Sequence, residues 1–341
     1  MRTVFVGLSG GVDSAVSACL LKKQGYRVVG AFIKGWEPDF LPCTGVEDRL
    51  SAMRVAAHLG IPFVTYDLEK EYKRDVVDYF VSEYRAGRTP NPDVMCNRVI
   101  KFGAFWEKAK ADGADCIATG HYALNVFDDG AWRLRTSADA GKDQTYFLWT
   151  LTQDDLSHTL FPVGGLEKPA VRAVAREAGL PNAGRKDSQG LCFLGHVDMK
   201  AFLKRYLPST PGVVRDERGA VLGEHDGAWF YTLGQHIDLG GQAERRYVVS
   251  KDATKNELVV SGTPLGERPH TEFPLTDVNW ISGTPPDGEI RARYRYRQPF
   301  LSAHVKNDSV RFKTPQLIAP GQSVVFYDAN ERMCLGGGVL H

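Results

Sequence analysis

Short β-branched runs alternate with helically spaced apolar residues through the first half of the chain: Thr3 to Val6, Ala15 to Gln24, Arg27 to Ile33, Asp48 to Leu59, Phe63 to Tyr66. This alternation predicts βαβ units on a parallel sheet. Gly25 and Gly60 each follow the last periodic residue of a helix, where a left-handed backbone costs least without a Cβ. Cys116 to Thr119 reads as a further buried strand. Pro169, then Val171, Val174, Ala175 and Ala178, then Gly179 mark a helix with its start and stop signals. Met199, Phe202, Leu203 and Tyr206 share one face of another at about 197–207.

After Pro208-Ser209-Thr210-Pro211-Gly212 the helical period is lost, and short strands separated by Gly, Asp and Asn take over. Tyr247 to Ser250 and Glu257 to Ser261 predict a hairpin, and a Pro/Gly-rich stretch at 263–274 separates it from a last β-rich segment. The expected architecture is an α/β parallel-sheet domain at 1–207, a small β domain at 208–270 and a barrel-like β domain at 271–341.

The 341 residues, 43% hydrophobic and 24% charged, have ordinary globular composition and exclude a fibrous or disordered chain. A net charge of +1 means that any polyanionic partner must be held by a local basic surface. The apolar run Val4 to Val6 is too short for a signal peptide, and no run approaches the roughly 18 residues of a membrane span, so a cytoplasmic protein is expected. Six scattered cysteines without a C-x-x-C pair indicate neither a zinc ribbon nor a disulfide scaffold. No resident metal is expected from them. A working cysteine here would act as a nucleophile or a redox group.

Chemistry concentrates first at Gly7-Leu8-Ser9-Gly10-Gly11-Val12-Asp13-Ser14, a glycine-rich turn between the first strand and the first helix. Gly10 and Gly11 allow close backbone approach, and the helix start adds partial positive charge, which together cradle an anion. Ser9 and Ser14 supply hydroxyls, and Asp13 is a candidate magnesium ligand; a tight turn with a capping Asp13 or Ser14 is the plainer alternative. The loop lacks the G-x-x-x-x-G-K-[ST] lysine and the G-x-G-x-x-G pattern, so kinase-type and dinucleotide-type readings fall.

Two cysteines stand in suggestive settings. In Asn91-Pro92-Asp93-Val94-Met95-Cys96-Asn97, a helix starting at Pro92 would place Asp93 and Cys96 on one face, with Asp93 acting as acid or base toward a substrate. A helix cap followed by a half-buried thiol is the alternative. Cys192, in Lys186-Asp187-Ser188-Gln189-Gly190-Leu191-Cys192-Phe193-Leu194-Gly195, lies in a polar glycine loop that favours exposure and reactivity. Arg291 to Gln298 alternates strictly, so a regular strand would put four guanidinium groups on one face, to track phosphates or to shield a sheet edge. Arg295 and Tyr296 would then point opposite ways, and both could reach RNA only at a bulge or a strand end.

The loop resembles the PP-loop of the ATP pyrophosphatase superfamily. Together with N-P-D-V-M-C-N, A-T-G-H-Y-A (118–123), K-D-Q-T-Y-F-L (142–148), K-D-S-x-G-x-C-F-L-G and R-Y-R-Q (295–298), it resembles the tRNA-specific 2-thiouridylases of the bacterial MnmA type. That resemblance spans essentially the whole chain, with departures at Ala15, Ile33 and Gly35. It implies a PP-loop fold followed by two β domains, and an enzyme that adenylates the C2 oxygen of the tRNA wobble uridine and replaces it with sulfur. By the resemblance, Gly7 to Ser14, Ile33 and Gly120 contact ATP with Mg2+, and Asn91, Pro92 and Asp93 approach the target base. Cys96 is the nucleophile, Cys192 carries a persulfide received from a sulfur-donor protein, and the two form a redox disulfide. Lys142, Asp143, Gln144, Arg295 and Tyr296 contact tRNA. A monomer is expected. A PP-loop amide ligase or amidotransferase, and a non-catalytic tRNA- or nucleotide-binding protein, are the competing readings.

Overall fold

The computed structural model describes residues 1–41, 45–187, 198–239, 245–264, 270–286 and 288–341. The first sheet is wholly parallel, in the order β3 (Phe63–Asp67), β2 (Arg27–Lys34), β1 (Thr3–Gly7), β4 (Cys116–Ala118), β7 (Thr159–Leu160). Its central strands β2, β1 and β4 are buried on both faces. Val4 and Val6 pack with Val12, Val16 and Val55 on one side, while Phe5 packs with Ile117 and Phe105 on the other, as a period of two requires. The helices α1 (Val12–Lys23) and α2 (Gly45–Leu59) follow β1 and β2. The expected helix-ending glycines adopt positive φ, +85° at Gly25, +60° at Gly60 and +62° at Gly179.

The chain places β2 on one side of β1 and β4 on the other. Between β1 and β4 the winding reverses, and a crevice opens beyond their carboxyl ends. The glycine-rich loop follows β1 into that crevice and Gly120 follows β4, so the fold itself brings these two motifs together.

The second sheet runs β10 (His236–Ile237), β11 (Arg246–Asp252), β12 (Glu257–Ser261), β8 (Gly212–Asp216), β9 (Val221–His225). The hairpin expected around 251–256 is present as the antiparallel β11–β12 pair.

The third sheet orders β13 (His270–Trp280), β16 (Ser309–Gln316), β15 (Leu301–Lys306), β14 (Ile290–Arg293), β17 (Ser323–Tyr327), β18 (Met333–Leu340). Because β13 also pairs with β18, these strands close into a barrel and leave no free edge between them. One edge of β18 is shared: Gly336 to Leu340 pair with β13, whereas Met333 and Cys334 pair with β6 (Ala131–Thr136) of the β5 (Ala123–Asp128)–β6 hairpin. A hairpin from the first 207 residues thus extends the C-terminal sheet. At the switch between the two partners Gly336 has φ +139°, and a Cβ there would lie 2.0 Å from the Asn279 carbonyl oxygen.

Candidate active site

The glycine-rich loop is drawn taut by its own hydroxyls. Ser9 N–H donates to Ser14 Oγ (3.2 Å), Ser14 Oγ donates to the Gly11 carbonyl (3.2 Å), and Ser17 Oγ donates to the Asp13 carbonyl (2.9 Å). Gly10 has φ +78°, and a Cβ there would come within 2.6 Å of the Asp48 carbonyl oxygen. Gly120 leans on the start of α1 so closely that a Cβ would fall 2.7 Å from Ser14 N. The start of α1, whose first amides have no preceding turn to bind, therefore lies at the crevice among glycines and serine hydroxyls. Such a cradle fits a polyphosphate.

Asp13, the candidate magnesium ligand, has other company in this structure. Its carboxylate accepts from Lys168 Nζ (2.6 and 2.9 Å) and from Tyr122 Oη (2.9 Å). Lys168, only 11% exposed, also meets Asp187 at 2.9 Å, and Asp187 in turn binds Lys142 (2.6 Å) and Arg172 (2.6 Å). Burial pushes the Asp187 carboxyl up, but the hydrogen bonds from Lys142 and Lys168 outweigh it and hold it at about 2. Lys168 is a site residue that the sequence reading missed. A single lysine ahead of a helix-starting proline carries no spacing signal, and only the fold lays that helix across α1.

Asn91 caps the following helix, its Oδ1 accepting from Asp93 N (3.1 Å) and Val94 N (3.3 Å), with Pro92 in the first turn. The helix does begin at Pro92, so Asp93 and Cys96 lie one turn apart. From Cys96 to Ala104 the backbone widens into π-helical turns, a form concentrated at functional sites. Cys96 itself is 0% exposed. Asn97 Nδ2 donates to the Phe147 carbonyl (3.1 Å), and the Phe147 ring lies 4.7 Å from that of Tyr296. Three motifs remote in sequence, at 91–97, 142–148 and 295–298, therefore meet.

The alternating Arg/Tyr segment departs from expectation. The strand β14 ends at Arg293, and Arg295 to Gln298 form a turn closed by Gln298, whose Oε1 accepts from Tyr294 N (3.0 Å) and Arg295 N (3.1 Å). The four guanidinium groups do not share a face. Arg293 is 6% exposed and pairs with Asp143 at 2.5 Å between Phe300 and Tyr327. Arg295 and Arg297 are exposed, with Arg297 over the Tyr296 ring at 5.1 Å. Arg295 and Tyr296 thus lie in a turn beyond the strand end rather than in a regular strand.

Asp143 likewise turns inward. It is 5% exposed and accepts from Ser137 N (3.2 Å), Thr145 Oγ1 (2.9 Å) and Arg293, so its carboxylate is spent on joining the first domain to the barrel rather than on a surface contact. Gln144 Oε1 accepts from Tyr122 N (3.0 Å), and Gln144 N donates to the Tyr122 carbonyl (2.9 Å). The chain of contacts from Asp13 through Tyr122, Gln144 and Asp143 to Arg293 runs from the phosphate loop to the turn at 295–298. Ile33, at the end of β2, is buried among core side chains. Cys192 and Cys43 lie outside the described residues.

The sequence matches three family domains in succession: the tRNA methyl transferase HUP domain over 2–196, the tRNA methyl transferase PRC-barrel domain over 200–262 and the aminomethyltransferase beta-barrel domain over 270–340. It is 47% identical over 350 aligned residues, covering 99% of this chain and 94% of the relative, to the tRNA-specific 2-thiouridylase MnmA of Geobacillus thermodenitrificans. It is 48% identical with the same coverage to tRNA-specific 2-thiouridylase MnmA 2 of Geobacillus kaustophilus, and 46% identical to the Listeria monocytogenes enzyme of that name. The chain belongs to the tRNA-specific 2-thiouridylase family. Its architecture, a PP-loop parallel-sheet domain followed by two β domains, is that family's. No helix among the described residues is long and apolar enough to cross a membrane.

Proposed function

We propose that the crevice between β1 and β4 binds ATP, and that the surface formed by residues 91–97, 142–148 and 295–298 receives the tRNA wobble uridine, whose C2 oxygen the enzyme replaces with sulfur. The observation that carries this reading is the hydrogen bond from Asn97, next to Cys96, to Phe147, whose ring packs on Tyr296. This contact joins the helix that carries Cys96 to the turn that carries Arg295, Tyr296 and Arg297, which supports a thiol acting beside bound tRNA.

The uridine C2 oxygen is a poor leaving group. Attack by that oxygen on the α-phosphorus of ATP releases pyrophosphate, and the oxygen then leaves with AMP when sulfur attacks C2. The amides of residues 9–14 face the phosphates, Ile33 and Gly120 border the adenosine, and Mg2+ accompanies the nucleotide. Lys168, bound to Asp13 beside the loop, exchanges that carboxylate for a phosphate oxygen when ATP enters. Asn91, Pro92 and Asp93 line the base, with Asp93 moving the proton.

The sulfur is the outer atom of a persulfide on Cys192, received from a donor protein. Either it attacks C2 and Cys96 then displaces it from Cys192, or Cys96 attacks the Cys192 sulfur first and frees hydrosulfide. Both routes leave a Cys96–Cys192 disulfide, which a cellular dithiol or two thiol molecules reset by thiol–disulfide exchange, taking the disulfide themselves. Lys142, Gln144, Arg295 and Tyr296 serve the tRNA, and Asp143 supports them as a strut.

Nucleoside mass spectrometry tests the reading. Wild type with ATP, tRNA and a persulfide donor forms 2-thiouridine with tRNA-dependent pyrophosphate release, and Cys192→Ser forms none. Pyrophosphate release without tRNA, or equal product from both proteins, refutes it.

A further inference from the structure

A phosphate cradle works only if the peptide planes of its loop are turned so that N–H groups face the anion and carbonyls face away. In a trans peptide these two groups point in opposite directions, so holding a carbonyl from behind aims the next N–H forward. The Gly10 carbonyl is held from behind by three donors: Asn182 Nδ2 at 2.9 Å, Arg185 Nη1 at 3.1 Å and Ser51 Oγ at 2.9 Å. Asn182 Nδ2 also donates to the Gly11 carbonyl at 3.1 Å. Arg185 is fixed in turn by Asp48 at the start of α2.

None of these residues belongs to the loop; all three meet the carbonyl edge of the Gly10–Gly11 peptide, opposite its N–H, which makes only a long 3.4 Å contact to Ser9 Oγ. Asn182 is 7% exposed, and its Oδ1 has no partner among the described residues. A buried amide with one unsatisfied atom is costly, which weighs against packing as its purpose and for the two carbonyls that its nitrogen holds. Ser51, Asn182 and Arg185 line an open depression of about 600 Å³. That open space lets their side chains be trimmed without forcing the core to rearrange.

We infer that Asn182, Arg185 and Ser51 are positioning residues that lock the Gly10–Gly11 peptide in its anion-facing orientation and so set the affinity for the triphosphate of ATP. This rests on the proposed use of the crevice for ATP. Without the lock, Gly10 and Gly11 are free to flip, because glycine pays little for either sign of φ. Flipped, the peptide would turn a carbonyl toward the phosphates.

The experiment is steady-state kinetics of tRNA-dependent pyrophosphate release for wild type, Asn182→Ala, Arg185→Gln, Arg185→Lys and Ser51→Ala, with thermal melting of each ligand-free protein. The expected result is a KM for ATP raised about tenfold in Asn182→Ala and Arg185→Gln, the size of one lost hydrogen bond to an essential group. The KM for tRNA stays within about twofold, Arg185→Lys recovers part of the loss, and Ser51→Ala, which removes a single hydroxyl, shows a smaller rise. An unchanged KM for ATP in folded variants overturns the inference, as does a lowered melting temperature with all kinetic constants intact. If Asn182→Ala fails to fold, Ser51→Ala and Arg185→Gln decide the matter alone. Wild type that releases no pyrophosphate with tRNA would instead refute the ATP reading itself.

Discussion

Cys96 has no exposed surface, although the proposed chemistry needs its sulfur to reach another sulfur. The reactive state must therefore uncover this thiol by a local opening. Iodoacetamide is expected to label Cys96 very slowly in the free protein and at least roughly tenfold faster with ATP and tRNA bound, the effect of making an opening about 1.4 kcal/mol easier. Peptide mass spectrometry of the alkylated site reads this, and equal rates would refute the idea. Asp187 allows a pH test. Its folded-state pKa of about 2 lies below the roughly 3.9 of an unfolded aspartate, so its stabilising contribution is complete above about pH 4 and is lost as the pH falls through about 2. Melting curves of wild type and Asp187→Asn should differ at pH 7 and converge near pH 2. A constant gap across that range would dissociate Asp187 from the ion network.

At the scale of elements, the decisive joint is between the 142–148 segment and β14. Asp143 and Arg293 are both nearly enclosed, so removing one leaves an uncompensated charge in a poorly hydrated site. Arg293→Met is expected to lower stability by about 3–5 kcal/mol in urea unfolding. Arg295→Ala, on the exposed turn two residues away, should change stability by no more than about 0.5 kcal/mol. The same variant should weaken tRNA binding and reduce the salt dependence of affinity by about one counterion. If Arg293→Met and Arg295→Ala proved equally stable, the inward placement of Arg293 would be wrong. The sequence placed both arginines in one alternating row, because period two was the only geometry visible locally. What broke the row was a turn closed by Gln298 and a carboxylate 150 residues earlier in the chain.

Across the whole molecule, the sheet that begins in the first domain at β5 and β6 continues into β18, and the barrel covers side chains of the 142–151 segment. Tyr146 Oη donates to the carbonyls of Tyr294 (2.9 Å) and Ser323 (3.1 Å), and Asn279 Nδ2 donates to the Trp149 carbonyl (2.7 Å). A protein consisting of residues 1–207 alone would uncover Tyr146 and Trp149 and leave β6 with an unpaired edge. It is expected to elute as aggregates on size-exclusion chromatography, whereas the full chain elutes as one species. A monodisperse, protease-resistant fragment would show the two parts to be independent.

Alternation of β-branched runs with helical periods, the glycine-rich turn, the helix start at Pro92 and the hairpin around 251–256 were all readable along the chain, because each depends on contacts within about a dozen residues. The family was readable too, from several motifs in one order. Hidden from that reading were Lys168 beside Asp13, the inward turn of Asp143 and Arg293, and the hold of Asn182 and Arg185 on Gly10. Each depends on which distant side chain meets which, and local spacing carries no information about partners that only strand order and helix packing bring within hydrogen-bond reach.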